Sequence, residues 1–210
     1  MKTIQITNAS VIQQIINIAG LQKDGFIINN INPVTVNGSL KYAIMKNLGV
    51  TKPNMVGVVL VSEISEGIEN FKGIYRRAKK EGLRLKAHVG EWGTAKDVRT
   101  AVEELELDEV QHGIAAADDE SVIRFLADNK IRLNITPTSN ILLGRVADMS
   151  MHPIKKFYRS GVDVTINSDD ILIFDSDVSK EYLRLYESRC LTVEELEDIR
   201  INGLKPVTNR

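Results

Sequence analysis

Two histidines, a glutamate and two adjacent aspartates are the residues of this chain whose types and spacing suit them best to chemistry. They lie in Leu85-Lys86-Ala87-His88-Val89-Gly90-Glu91, in Val110-Gln111-His112-Gly113 and in Val164-Thr165-Ile166-Asn167-Ser168-Asp169-Asp170. A fourth polar motif, Asn134-Ile135-Thr136-Pro137-Thr138-Ser139-Asn140, stands between the last two. Each closes an apolar run. Imidazoles and carboxylates delivered to one opening could hold a divalent metal and move protons, the requirements of metal-assisted hydrolysis.

That opening requires a scaffold in which strand ends converge. In a parallel barrel of βα units, functional groups sit at the carboxyl ends of successive strands. The chain has the matching rhythm from about Val56 onward. Val56–Val61 is a β-branched run, and a helix follows with Ile68, Phe71, Ile74, Tyr75 and Ala78 at helical spacing, capped by Ser65 and ended by Gly82. Leu85–Val89, Glu109–His112, Ile131–Ile135 and Val162–Ile166 read as further strands, with helices carrying Val98–Leu105 and Val122–Leu126 between them. Pro137 stops the fourth strand, and Pro137–Asn140 reads as a turn in which Ser139 and Asn140 anchor the loop. Pro153 suits a helix start, and Thr192-Val193-Glu194-Glu195 opens a last helix as a capping box.

Five strands alternating with helices predict an α/β fold with a parallel sheet. The first 55 residues are less regular: Val11–Ala19 suggests a helix, and Phe26–Ile31 and Val34–Val36 suggest short strands. Three further βα units do not fit there. The expectation is one domain over 1–210, in which an irregular segment over 1–55 precedes an incomplete or abbreviated (β/α)8 TIM-type barrel over 56–210.

Composition narrows the partners. The chain is 43% hydrophobic and 26% charged with a formal net charge of -1, so bulk electrostatics favour neither nucleic acid nor an anionic membrane. Arg76, Arg77, Lys79 and Lys80 read as a solvated helix face. The single Cys190 reads as a small buried thiol. No apolar run approaches the roughly 18–20 residues of a membrane span, and the first residues lack the apolar stretch of a secretory signal. A cytoplasmic location is expected.

The order of motifs from about Val56 to Lys205 resembles the C-terminal portion of the adenosine deaminase family, zinc-dependent (β/α)8 enzymes of the amidohydrolase superfamily. His88-Val89-Gly90-Glu91 is similar to the family's His-Ala-Gly-Glu, and Gln111-His112-Gly113 to its Gly-His-Gly. Pro137-Thr138-Ser139-Asn140 is similar to its Pro-x-Ser-Asn, His152-Pro153 to its His-Pro, and Asn167-Ser168-Asp169-Asp170 to its Asn-x-Asp-Asp. The resemblance implies hydrolytic attack on C6 of a purine nucleoside such as adenosine, releasing ammonia and leaving inosine. It implies one Zn2+ with His88 and Asp169 as ligands, and Glu91 as proton donor to the ring nitrogen. His112 would orient the attacking water, and Asp170 would hold that water or the purine. Gly90 and Ser62 would lie at the purine edge.

The departures from the family are equally specific. The family's first strand carries His-x-His, two more zinc ligands, and here no histidine precedes His88. A catalytic zinc usually has three protein ligands. Val59 and Ser62 replace an acidic residue and a glycine, Gln111 replaces the glycine before His112, and Ile171 replaces a proline after the acid pair. Three readings follow. The chain is an aminohydrolase whose remaining ligands come from a homo-oligomer, a complementing chain or rearrangement; or a non-catalytic purine-binding derivative; or a truncated remnant. Taken singly, each residue also has a structural use. His88 could be a hydrogen-bonded histidine, Glu91 an acid at a helix N-terminus, His112 a strand end, Asp169-Asp170 a cap and Trp92 packing beside the site.

Overall fold

The computed structural model describes residues 57–60 and 68–205. Five strands run parallel and side by side in chain order: β1 (Gly57–Leu60), β2 (Arg84–Val89), β3 (Glu109–His112), β4 (Arg132–Ile135) and β5 (Asp163–Ile166). The register aligns His88 with Gln111, Gln111 with Asn134, and Asn134 with Thr165. The strand order never reverses, as a doubly wound sheet requires, and so follows the winding of a (β/α)8 barrel. The fold is α/β, an abbreviated parallel barrel.

The two faces of the sheet differ because side chains alternate along a strand. On β2, Leu85, Ala87 and Val89 are buried, while Arg84, Lys86 and His88 between them are half-buried. The apolar set joins Val98, Val102, Leu133 and Phe157 in one core. The polar set belongs to a ladder across the sheet. Glu109, buried on β3, takes Lys86 Nζ at 2.7 Å and the Asn134 amide at 2.8 Å, with Arg84 at 3.5 Å. Thr165 Oγ1 donates to Asn134 Oδ1 at 2.8 Å and accepts from the Asn167 amide at 2.8 Å.

Helices connect the strands: α1 (Glu69–Lys80), α2 (Ala95–Leu105), α3 (Glu120–Asp128), α4 (Pro137–Leu142), α5 (Ile154–Arg159), α6 (Ile171–Phe174), α7 (Val178–Glu187) and α8 (Val193–Gly203). Their starts are set locally. Thr94 and Asp97 form a capping box on α2, Thr192 and Glu195 another on α8, and Asp119 and Asp177 cap α3 and α7. Each such cap contributes about 1 kcal/mol. At the end of α8, Arg132 donates to the carbonyls of Asn202 and Lys205 at 3.2 and 3.1 Å, satisfying groups the helix leaves open.

Several expectations hold. Gly82 and Gly161 follow α1 and α5 with φ of +71° and +79°, the left-handed geometry that glycine adopts without strain. Arg76, Arg77, Lys79 and Lys80 are exposed, and Cys190 is buried, its thiol pushed up by desolvation. One expectation fails: Pro137–Asn140 is not a turn but the beginning of α4. Proline is favoured in the first helical turn, where its missing N–H costs nothing. Val56, Val61, the Ser65 cap, Ser62 and the elements suggested within 1–55 lie outside the described residues. No helix among the described residues is long and apolar enough to cross a membrane.

Candidate functional site

The chain leaves β2 through a turn that only glycine can make. Gly90 has φ +76°, and a Cβ there would lie 2.3 Å from Val98 Cγ2 and 3.3 Å from Gly113 Cα. This close approach lets β2 and β3 end side by side, with Gly113 N–H donating to Val89 O at 3.1 Å and Ala115 N–H to Gly90 O at 2.9 Å. Gly90 therefore has a packing role that accounts for its presence.

His112 follows the same bend. Its φ is +62°, and that of Gly113 is +68°. A left-handed non-glycine residue costs roughly 1–2 kcal/mol, and such strain gathers where a side chain must be aimed. The ring is aimed at the sheet's carboxyl edge and is 3% exposed as a residue. Its Nδ1 lies 3.0 Å from Thr136 Oγ1, 3.4 Å from the Asn140 amide nitrogen and 3.6 Å from Glu91 Oε1. Its Nε2 lies 4.0 Å from Asp169 Oδ2. Burial, and the neighbouring His88, pull the His112 pKa down to about 4 against an upward pull from Asp169. At neutral pH the ring is uncharged.

Glu91, His112 and Asp169 thus converge, one ligand atom from each lying within 4.8 Å of the others. They come from the ends of β2, β3 and β5. His88 stands beside them, its ring centroid 5.3 Å from that of His112. The aspartates divide. Asp169 is turned toward His112, whereas Asp170 begins α6, its Oδ1 accepting from Ile173 N–H at 3.4 Å. Glu91 precedes α2, which starts at Ala95 with Thr94 as its cap, so it is not a first-turn acid of that helix. Nor does Trp92 pack beside the site. It is 56% exposed, with the Arg145 guanidinium 4.9 Å above its ring.

An imidazole and two carboxylates, with a second imidazole adjacent, form the mixed N and O donor set that suits zinc. These donor types fit such an ion and supply part of its protein ligand set.

The surroundings include groups the sequence did not single out. Thr136 bonds His112 and lies 2.8 Å from Ser139 Oγ. Its only sequence signal is its place directly before Pro137. Glu181, fully buried on α7, accepts from the backbone N–H and hydroxyl of Thr138 at 2.9 Å each and from Ser176 Oγ at 2.6 Å. It fixes the start of α4, and with it Ser139 and Asn140. Nothing in the local sequence of Glu181 marks that use.

Residues 49–208 match the adenosine deaminase family. A Treponema pallidum protein provisionally named an adenosine/adenine deaminase is 48% identical over 130 residues, covering 62% of this chain and 44% of that protein. An adenine deaminase of Vibrio parahaemolyticus is 34% identical over 154 residues, 73% of this chain and 46% of its own length. Among solved structures, the adenine deaminase of Arthrobacter aurescens superposes with a TM-score of 0.71 at 27% identity, covering 80% of this chain and 52% of that one. The chain spans about half the length of the curated relatives it matches. The family match covers most of the chain, and the chain belongs to the adenosine deaminase family.

Proposed function

We propose that this chain supplies the C-terminal half of a zinc-dependent purine aminohydrolase site, one that removes the exocyclic amino group of adenosine or adenine by hydrolysis. The observation that carries this reading is the convergence of Glu91, His112 and Asp169 within 4.8 Å at the ends of three parallel strands. His88 and Asp169 would hold zinc, which when bound supplies a Lewis acid that acidifies water near neutral pH. Glu91 would deliver a proton to the purine ring nitrogen beside the attacked carbon. His112, kept neutral by burial, would hold the attacking water by a hydrogen bond rather than by charge. Asp170, committed to starting α6, would support Asp169 and reach the purine second. Gly90 and Ser62 would border the purine.

His88 and Asp169 make two ligands where three are usual. The third histidine of the chain, His152, is buried at the start of α5. We therefore assign the missing donors to a His-x-His strand outside this sequence. A second reading, a zinc-free purine-binding member, draws on the same missing pair. Zinc by elemental analysis separates them, run on the sample used for adenosine and adenine absorbance assays. The chain is measured alone and after mixing with a polypeptide carrying the N-terminal half of a relative. Zinc and turnover appearing only in the mixture are the expected result. Neither appearing in the mixture overturns the proposal in favour of the zinc-free reading.

A further inference from the structure

His152 is buried and outside the metal cluster, yet it connects to it. Its chain of contacts begins at an unambiguous donor. Ile154 N–H, a first-turn helix amide with no partner inside α5, donates to His152 Nδ1 at 3.1 Å. That nitrogen therefore carries a lone pair. Burial holds the His152 pKa down at about 3, so the ring is neutral and its one proton sits on Nε2. His152 Nε2 lies 3.2 Å from Asn140 Oδ1, and its N–H donates there. The Asn140 amide is thereby oriented, oxygen toward His152 and nitrogen toward His112. Asn140 is 0% exposed, so bulk solvent does not reach its amide.

The consequence falls on His112 Nδ1, which faces the Asn140 amide nitrogen at 3.4 Å. An amide nitrogen is only a donor, so the imidazole nitrogen opposite it must accept. Thr136 is compatible with either state. Ser139 has one hydroxyl proton and two acceptors in reach, Thr136 Oγ1 at 2.8 Å and Thr136 O at 3.0 Å. Given to Oγ1, it leaves the Thr136 hydroxyl to donate to His112 Nδ1; given to the carbonyl, it leaves Thr136 donating to Ser139 and accepting from His112. Glu91 Oε1, at 3.6 Å, pulls the other way but from beyond hydrogen-bond reach.

We propose that His152 and Asn140 are positioning residues that fix the tautomer of His112, keeping Nδ1 bare and the proton on Nε2, turned toward Asp169. The inference deepens the proposed function, because a Nε2–H ring donates a hydrogen bond into the site and does not itself ligate zinc through that nitrogen. It explains why a His-Pro pair 40 residues from His112, at the start of a different helix, is bound up with the same cluster.

Three histidines make the test direct. The full chain is labelled with 15N-histidine, and two-bond 1H–15N correlation spectra are recorded at pH 7. His112 and His152 are each expected as the Nε2–H tautomer; a proton on Nδ1 of His112 in the unmodified chain overturns the proposal outright. Asn140→Asp, which puts a carboxylate oxygen against His112, is expected to move the His112 proton to Nδ1. His152→Phe removes the donor that orients Asn140, and the Nε2–H form of His112 should lose its majority. His152→Gln, whose amide N–H can replace the lost donor, should restore it. An unchanged His112 tautomer in a folded His152→Phe or Asn140→Asp chain refutes the link. If those variants do not fold, the spectrum of the unmodified chain still decides. None of these spectra needs zinc, purine or turnover, so failure of the deaminase reading leaves this inference standing, and the reverse also holds.

Discussion

The polar side of the sheet holds acids in two settings. At mid-sheet, Glu109 sits among Lys86, Arg84 and Asn134, and its charge is answered by cations of its own scaffold. At the strand ends, Glu91 and Asp169 meet the His112 ring at 3.6 and 4.0 Å, and that ring is neutral at physiological pH. Acids of the same chemical type therefore do different work. Glu109 is paired within the fold, whereas Glu91 and Asp169 face a ring that carries no charge.

The largest expected effect lies at the strand ends. In the complemented protein, Glu91→Gln should lower deaminase turnover by about 10²–10⁴-fold, the usual span for a positioned general acid, while the thermal midpoint stays within experimental scatter. A loss of stability matching the loss of turnover would erase the distinction between the two settings. Next, Glu109→Gln should leave the site's geometry alone and destabilise the fold. Removing one member of a buried charge cluster costs about 3–5 kcal/mol. Because Lys86 and Arg84 retain 29% side-chain exposure and can be partly hydrated, we expect about 2–3 kcal/mol by urea unfolding.

The pH dependence sharpens the comparison further. The folded-state pKa of His152 is depressed to about 3 from an unfolded value of 6.5. Its neutral form is the one the fold accommodates, so its contribution is fully present above pH 6.5 and is lost as pH falls toward 3. Over that window the unfolded chain binds one more proton, a slope of about 1.4 kcal/mol per pH unit. His152→Gln removes this proton. The stability difference between the two chains should shrink steadily from pH 6.5 to pH 4.5, and a difference independent of pH would contradict the buried neutral ring. The smallest effect belongs to a site far from either set of acids. Thr192→Ala breaks the α8 capping box and should cost about 1 kcal/mol, with no change in zinc content.

Much of this was legible in the sequence. The capping box at Thr192 and Glu195, the helix stops at Gly82 and Gly161, and four strands with their trailing polar motifs all rest on local chemistry. Other features were not. Pro137 stops a strand and starts a helix equally well, and only the burial of Ser139 and Asn140 beside His112 selects the helix. Trp92 looked like packing because aromatics usually bury. Here it lies on the exposed side of the turn after Gly90, under Arg145.

By itself the sequence determined the kind of groups available, their order along the chain and the family to which they belong. Residue types and their spacing persist without coordinates. Only the tertiary structure decided which of those groups meet. Whether Glu91 and Asp169 both reach His112, whether Asp170 faces the site or starts a helix, and whether Asn140 lies between His112 and His152 depend on contacts between residues far apart along the chain. Parallel strands bring such residues to one edge by crossovers whose geometry the sequence pattern does not specify. Local patterns carry no information about distances across that edge.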